Sequence, residues 1–478
     1  MEDSTRDTAT HPVLRILTGH WLSVVGASLV TIAGCSWLLL LIVRTAGATA
    51  DPYRGILIFF AVPVPFFIGL ALIPVGAWLA RRRIATGLSR APDRRVVFRR
   101  AAIFFGLMTV VNIVIASQVT YRAVTAMESV RFCGQSCHIM KPQFVANQRG
   151  QHRNVQCVEC HVVPGAAGFV QAKMNGSRQL IEVTLGTYPR PVPPALQTDR
   201  LVSSAETCEH CHSRAVNSGR RLRVLSKFKD DEANTPIQTV LMMNIGGGST
   251  GSAAGIHGMH MGPGVEIRYQ AADASRSTIP WVEYSNTMTG ESDVYTTSGA
   301  KDTGGKTFLM QCADCHNRPG HSFETPEASV DSAIAQGRIA APLPFARKVG
   351  IQVISADYAN DGEAAKKIPD AFAAFYRQNY PDVAAERRKE IEQAGLALTD
   401  VRQRNVYPEF GVKWGSYPNN LGHMDSPGCF RCHDESHATA AKRTITQDCN
   451  ACHQVLAVDE TSPEVLKTLG LLRGSSNP

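Results

Sequence analysis

Residues 133–138 read C-G-Q-S-C-H and residues 157–161 read C-V-E-C-H. Outward from there the arrangement returns as C-E-H-C-H at 208–212, C-A-D-C-H at 312–316, C-F-R-C-H at 429–433 and C-N-A-C-H at 449–453. Twelve of the 13 cysteines therefore fall into six pairs: Cys133/Cys137, Cys157/Cys160, Cys208/Cys211, Cys312/Cys315, Cys429/Cys432 and Cys449/Cys452. Each pair is followed at once by a histidine: His138, His161, His212, His316, His433 or His453. Five pairs have the spacing that attaches c-type haem, and the first is one residue longer. Two thiols add to the two vinyl groups of one porphyrin, and the adjacent imidazole is held against the iron as proximal ligand. Structural zinc combines two cysteine pairs and needs no histidine directly after each, so six histidines in that slot argue against zinc. Cys35 is left over in an apolar run and reads as a small buried side chain. Six haems c are expected, on the oxidising side of a membrane.

Three uncharged apolar runs precede the motifs: Leu22–Val43, Gly55–Ala80 and Ala101–Val119. Each is long enough to cross about 30 Å of hydrocarbon as a helix. The second contains Pro63, Pro65 and Pro74 and is expected to kink. The first is too long for a signal-peptide core and reads as an uncleaved anchor. Residues 81–100 hold eight arginines against one acid, Asp93, whereas the loop around 45–54 holds only Asp51 and Arg54. The positive-inside rule puts the arginine loop and the N-terminus in the cytoplasm and everything after the third helix outside, as haem attachment also requires. The formal net charge of +8 is thus a topology signal and not a nucleic-acid one.

The expected fold is a membrane-anchored multihaem cytochrome c of the bacterial inner membrane. Three transmembrane helices lead into a mostly α, loop-rich periplasmic haem domain with a few short strands. The expected divisions are a cytoplasmic N-terminus (1–21), the helices (22–119), a block with haems one to three (120–215) and an extended periplasmic block with haems four to six (216–478). In the last block Gly246–Gly255 reads as flexible. Val265–Gln270 and Pro280–Ser285 read as strands, and Gly362–Gln378 and Asp382–Gly395 as helices. Residues 120–132, with apolar Val124, Met127, Val130 and Phe132, read as lying along the membrane interface.

A low-spin electron carrier needs a second axial ligand per iron, usually His or Met. His152, His321, His423 and His437 are candidates, several of them close beside a motif. His257 and His260 form H-G-M-H; one is expected to ligate, and spacing does not choose between them. His210 lies inside the third motif and is set aside. No span contains an internal histidine, so no membrane haem b is expected.

The run F-C-G-Q-S-C-H-I-M-K-P at Phe132–Pro142, with C-V-E-C-H-V-V-P-G, K-M-N-G-S-R-Q-L-I-E and G-T-Y-P-R-P, resembles the NapC/NirT family of membrane-anchored quinol dehydrogenases over 120–215. The later motifs are similar to larger inner-membrane members with six or more haems. The resemblance implies quinol oxidation at the first haem and electron transfer to a periplasmic acceptor, in an anaerobic or extracellular respiratory chain. It maps a haem-one methionine onto Met140 and a quinol-site lysine onto Lys173. The family's acid falls on Gln179, with Glu182 the nearest acid. The longer first motif, six haems in place of four and three spans in place of one depart from the small members.

The leading expectation is a quinol dehydrogenase whose partners are the quinol pool, the lipid bilayer and a periplasmic cytochrome or terminal reductase. The alternatives are a relay subunit fed by other membrane subunits, and a nitrogen-oxide reductase working at an open haem.

Overall fold

The computed structural model describes residues 20–45, 63–86, 94–193, 203–212, 219–246, 254–297 and 305–471. The chain divides into two compact units, Met1–Phe132 and Cys133–Pro478.

Among the described residues the first unit contains three helices: α1 (Trp21–Thr45), α2 (Pro63–Ala85) and α3 (Arg94–Glu128). Among the described residues two stretches are long and apolar enough to cross a membrane, the 20 residues Val64–Arg83 and the 31 residues Phe98–Glu128; Trp21–Ser36 is a shorter apolar stretch. Most of residues 1–21 and the middle of the arginine loop lie outside the described residues. The flanks of that loop are helical, since Arg81–Arg83 end α2 and Arg94–Arg100 begin α3. α1 and α2 pack through small residues. A Cβ on Gly26 would lie 2.6 Å from the Gly69 carbonyl oxygen, and one on Gly69 would lie 2.7 Å from that of Gly26. Ser23 Oγ donates to the Ile73 carbonyl at 3.2 Å. Such glycines let two backbones approach as closely as they do between membrane helices.

Pro63 and Pro65 stand at the start of α2, where a proline's missing N–H costs nothing, and Pro74 lies inside it. One expectation is corrected here. Residues 120–128 continue α3 without a break, as no proline or glycine interrupts the helix there.

The second unit joins haem-type motifs to a helical core and two small sheets. The core helices are α10 (Pro326–Ala335), α11 (Ala346–Ser355), α12 (Asp361–Asn379) and α14 (Arg388–Gln403). Their apolar faces meet around Val330, Leu343, Ile354, Ile368, Phe372 and Leu398, all fully buried. Thr325 and Asn360 cap α10 and α12 by accepting the N–H groups of Ala328 and Glu363. Each cap contributes about 1 kcal/mol. Gly395 allows α14 to close on α12, because a Cβ there would sit 2.9 Å from Pro369 Cα. The helix expected over 382–395 is two, α13 (Pro381–Glu386) and α14, divided at Arg387 (φ −111°, ψ 28°).

One antiparallel sheet has the order β1 (Arg220–Phe228), β2 (Pro236–Asn244), β7 (His453–Glu460). The other has the order β5 (Glu291–Thr296), β4 (Trp281–Asn286), β3 (Val265–Gln270), β6 (Thr307–Leu309). The expected strands are β3 and β4, the latter shifted by one residue. Residues 247–253 of the expected flexible stretch lie outside the described residues.

Candidate functional site

The motifs are short helical turns. Cys157–His161 is α5, and its N-terminal neighbour α4 is Lys141–Arg149; Cys208 and Cys211 lie in α7 (Ser204–Cys211), Cys312–Cys315 is α9 and Cys449–Cys452 is α15. A turn of helix brings thiols three residues apart to one side. The first motif has an extra residue, and Phe132–Ser136 winds as a wider π-type turn that accommodates it.

Five motif histidines each face a second imidazole. His152 faces His212 with ring centres 5.9 Å apart, His321 faces His161 at 6.2 Å, His257 faces His316 at 6.3 Å, His260 faces His433 at 5.7 Å and His423 faces His453 at 6.2 Å. Both histidines of H-G-M-H thus face a motif histidine. They lie on α8 (Gly255–Met261), three residues apart, and turn to different motifs.

Carbonyl partners orient these rings. Nδ1 of His152 donates to the Pro319 carbonyl at 3.0 Å and that of His321 to Gln143 at 3.0 Å. His260 Nδ1 donates to Ile256 at 2.7 Å and His433 Nδ1 to Thr446 at 2.7 Å. A proton fixed on Nδ1 leaves the lone pair on Nε2, the usual arrangement of a ligating imidazole. Burial also lowers the pKa of His161, His260 and His316, and that of His321 to about 4, favouring the neutral, ligating form.

His437 is placed otherwise. It is buried, its Nδ1 pairs with Asp434 at 2.8 Å and its Nε2 with the Ile279 carbonyl at 2.6 Å. With both nitrogens engaged, neither is left for a metal, which corrects its place among the candidate ligands. His210 is exposed.

The first motif differs. His138 faces the ring of Phe410 with centres 6.4 Å apart. Met140 packs with Ile139, Tyr407, Phe410 and Tyr417. The turn Pro408–Phe410 also brings Glu409, 3.9 Å from Lys141. Sequence reasoning missed Phe410 and Glu409, since they lie more than 250 residues along the chain and carry no motif.

Lys173 lies on α6 (Ala166–Thr184), and its charge acts on Cys133. Glu182 does not join it. Nine residues on, it stands about half a turn round and roughly 13 Å along the axis, given ~100° and 1.5 Å per residue. Its carboxylate accepts from Arg178 Nε at 2.8 Å. Gln179 is exposed. α6 presents Val170, Met174 and Ile181 outward, each more than half exposed.

Neighbouring motifs follow chain order. The thiols of Cys133 and Cys157 lie within hydrogen-bond reach of one another, and so do those of Cys208 and Cys312. Cys160 couples electrostatically to Cys208 and Cys211, Cys315 to Cys429 and Cys432, and Cys452 to Cys429. The sites thus adjoin one to two, two to three, and on to six.

Residues 97–222 match the N-terminal region of the NapC/NirT cytochrome c family. The chain is 34% identical over 453 residues to the cytochrome c-type protein ImcH of Geobacter sulfurreducens, covering 91% of this chain and 87% of that protein. The chain belongs to the NapC/NirT cytochrome c family. It is a membrane multihaem cytochrome that carries haem c and takes part in electron transfer. No solved structure matches it.

Proposed function

We propose that the chain oxidises quinol from the membrane pool at its first motif and relays the electrons through six haems c to a periplasmic cytochrome or terminal reductase. The observation that carries this reading is the asymmetry of the six sites: five motif histidines face a second imidazole and the first does not. A metal–imidazole bond of about 2 Å, with the ring centre about 1 Å behind its nitrogen, separates facing ring centres by roughly 6 Å. The five pairs match that separation. Haem c, when attached, carries one electron at a time.

In this reading the twelve paired cysteines would hold the porphyrins, and His138, His161, His212, His316, His433 and His453 would be proximal ligands. His321, His152, His257, His260 and His423 complete the second to sixth sites in that order. Met140 is the remaining candidate at the first. The five matched sites serve transfer, and the first is left to meet substrate.

The helices α1–α3 would cross the membrane, with the arginines of residues 81–100 in the cytoplasm and Cys133 onward on the periplasmic side. Quinol releases two electrons and two protons, so a base is needed near the first motif. Lys173, on α6, would orient a quinol oxygen, and the Lys141–Glu409 pair would take up a proton. The outward apolar stripe of α6 suits a lipid-soluble substrate. The same stripe favours a second reading, a relay subunit docked on a partner.

Purified protein mixed with a short-chain quinol under anaerobic conditions separates the two. Reduction by quinol alone supports the proposal. Reduction that requires a co-purified partner supports the relay subunit.

A further inference from the structure

We infer that Arg431 is a fixed positive charge shared by the fourth and fifth sites, and that it raises both reduction potentials together. The inference rests on the reading that these motifs carry haem. Arg431 lies inside C-F-R-C-H and is the only lysine or arginine within any of the six motifs. Its Nε donates to the Gly428 carbonyl at 2.8 Å and its Nη1 to that of Arg276 at 3.0 Å. Its Nη2 donates to the Asp314 carbonyl at 2.8 Å, inside the C-A-D-C-H motif of the fourth site. One guanidinium therefore ties two motifs.

Its acceptors are all carbonyls, and among the described residues no carboxylate pairs with it. Carbonyl dipoles solvate a cation without cancelling its charge. The Asp314 carboxylate is already taken up by Arg276 at 3.3 Å, by the Tyr269 hydroxyl and by the Gln311 N–H at 2.7 Å. Arg431 is half-buried, and a cation held there acts with less screening than one free in solvent. It favours whichever state holds the extra electron. The fourth and fifth sites then form a downhill step mid-relay, drawing electrons away from the quinol end.

The test is a spectroscopic redox titration of the full chain, with haem content measured by mass, in Arg431→Gln, Arg431→Lys and Asn420→Asp. Asn420 Nδ2 donates to the same Asp314 carbonyl at 3.1 Å, so an aspartate there sets a negative charge beside an intact Arg431. In Arg431→Gln, two of six one-electron steps should move to lower potential by tenfold or more in equilibrium constant, about 59 mV each. Asn420→Asp should lower the same two, and Arg431→Lys should shift them less than threefold. Arg431→Gln and Asn420→Asp proteins with six haems and unmoved steps would overturn the inference, as would a lysine variant displaced as far as the glutamine one. Asn420→Asp decides if Arg431→Gln does not load. A wild-type chain with fewer than six haems would instead count against the ligation reading.

Discussion

The first motif and the other five solve the same problem differently. Each of the five meets an imidazole brought from elsewhere in the chain, and the carbonyls that aim His152 and His321 lie 167 and 178 residues away. The first meets an aromatic ring, Phe410, on an apolar cluster that also takes in Met140. Two imidazoles give a site that changes little between oxidation states. A site without the second imidazole gives up that symmetry and gains room for chemistry. On the proposed function, the five matched sites would carry electrons and the first would admit them.

The largest break in this contrast should come from His321→Ala. It removes the ring facing His161 and the bond to the Gln143 carbonyl. One of the low-spin signals in the electron paramagnetic resonance spectrum should be lost entirely, and the first site's signal should stay. Met140→Leu should do the reverse. It should alter only the first site and slow quinol-driven reduction about tenfold, equivalent to ~1.4 kcal/mol, as stopped-flow absorbance would measure.

Next is the clasp that holds the two ligand-bearing segments together. Arg149 Nη2 donates to the carbonyls of Ser322 and Arg404 at 3.0 Å each and to Asn405 Oδ1 at 3.2 Å. Hydrogen bonds from charged groups contribute about 1.5–3 kcal/mol each. Arg149→Met should cost about 3 kcal/mol in denaturant unfolding and weaken haem retention at the second and third sites before the first. His437→Phe should cost about 1–3 kcal/mol by leaving the Ile279 carbonyl and Asp434 without their partner, with every haem spectrum unchanged. The smallest effect is expected of Glu182→Gln. An exposed i,i+4 ion pair contributes ~0.3–0.5 kcal/mol, so stability and quinol rate should both stay within twofold.

Much of this was legible in the sequence, for local reasons. The cysteine pairs and proximal histidines form within a single turn. β3 announced itself by alternation in V-E-I-R-Y-Q, and α12 by apolar residues at helical spacing from Ala364 to Tyr376. The division at Arg387 was hidden because helical composition continues on both sides. β7 was hidden because its partner, β2, lies more than 200 residues earlier. The histidine partners depend on the same long-range topology. The expected set held His437 and one of His257 and His260, but His437 is drawn into a buried hydrogen-bond pair, and both His257 and His260 face motif histidines.

The measurement that tests this account most directly is a count of axial ligand pairs by near-infrared magnetic circular dichroism on the oxidised full chain. The account predicts five bis-imidazole haems and one with a different signature. A sixth bis-imidazole haem would contradict it, and so would fewer than five.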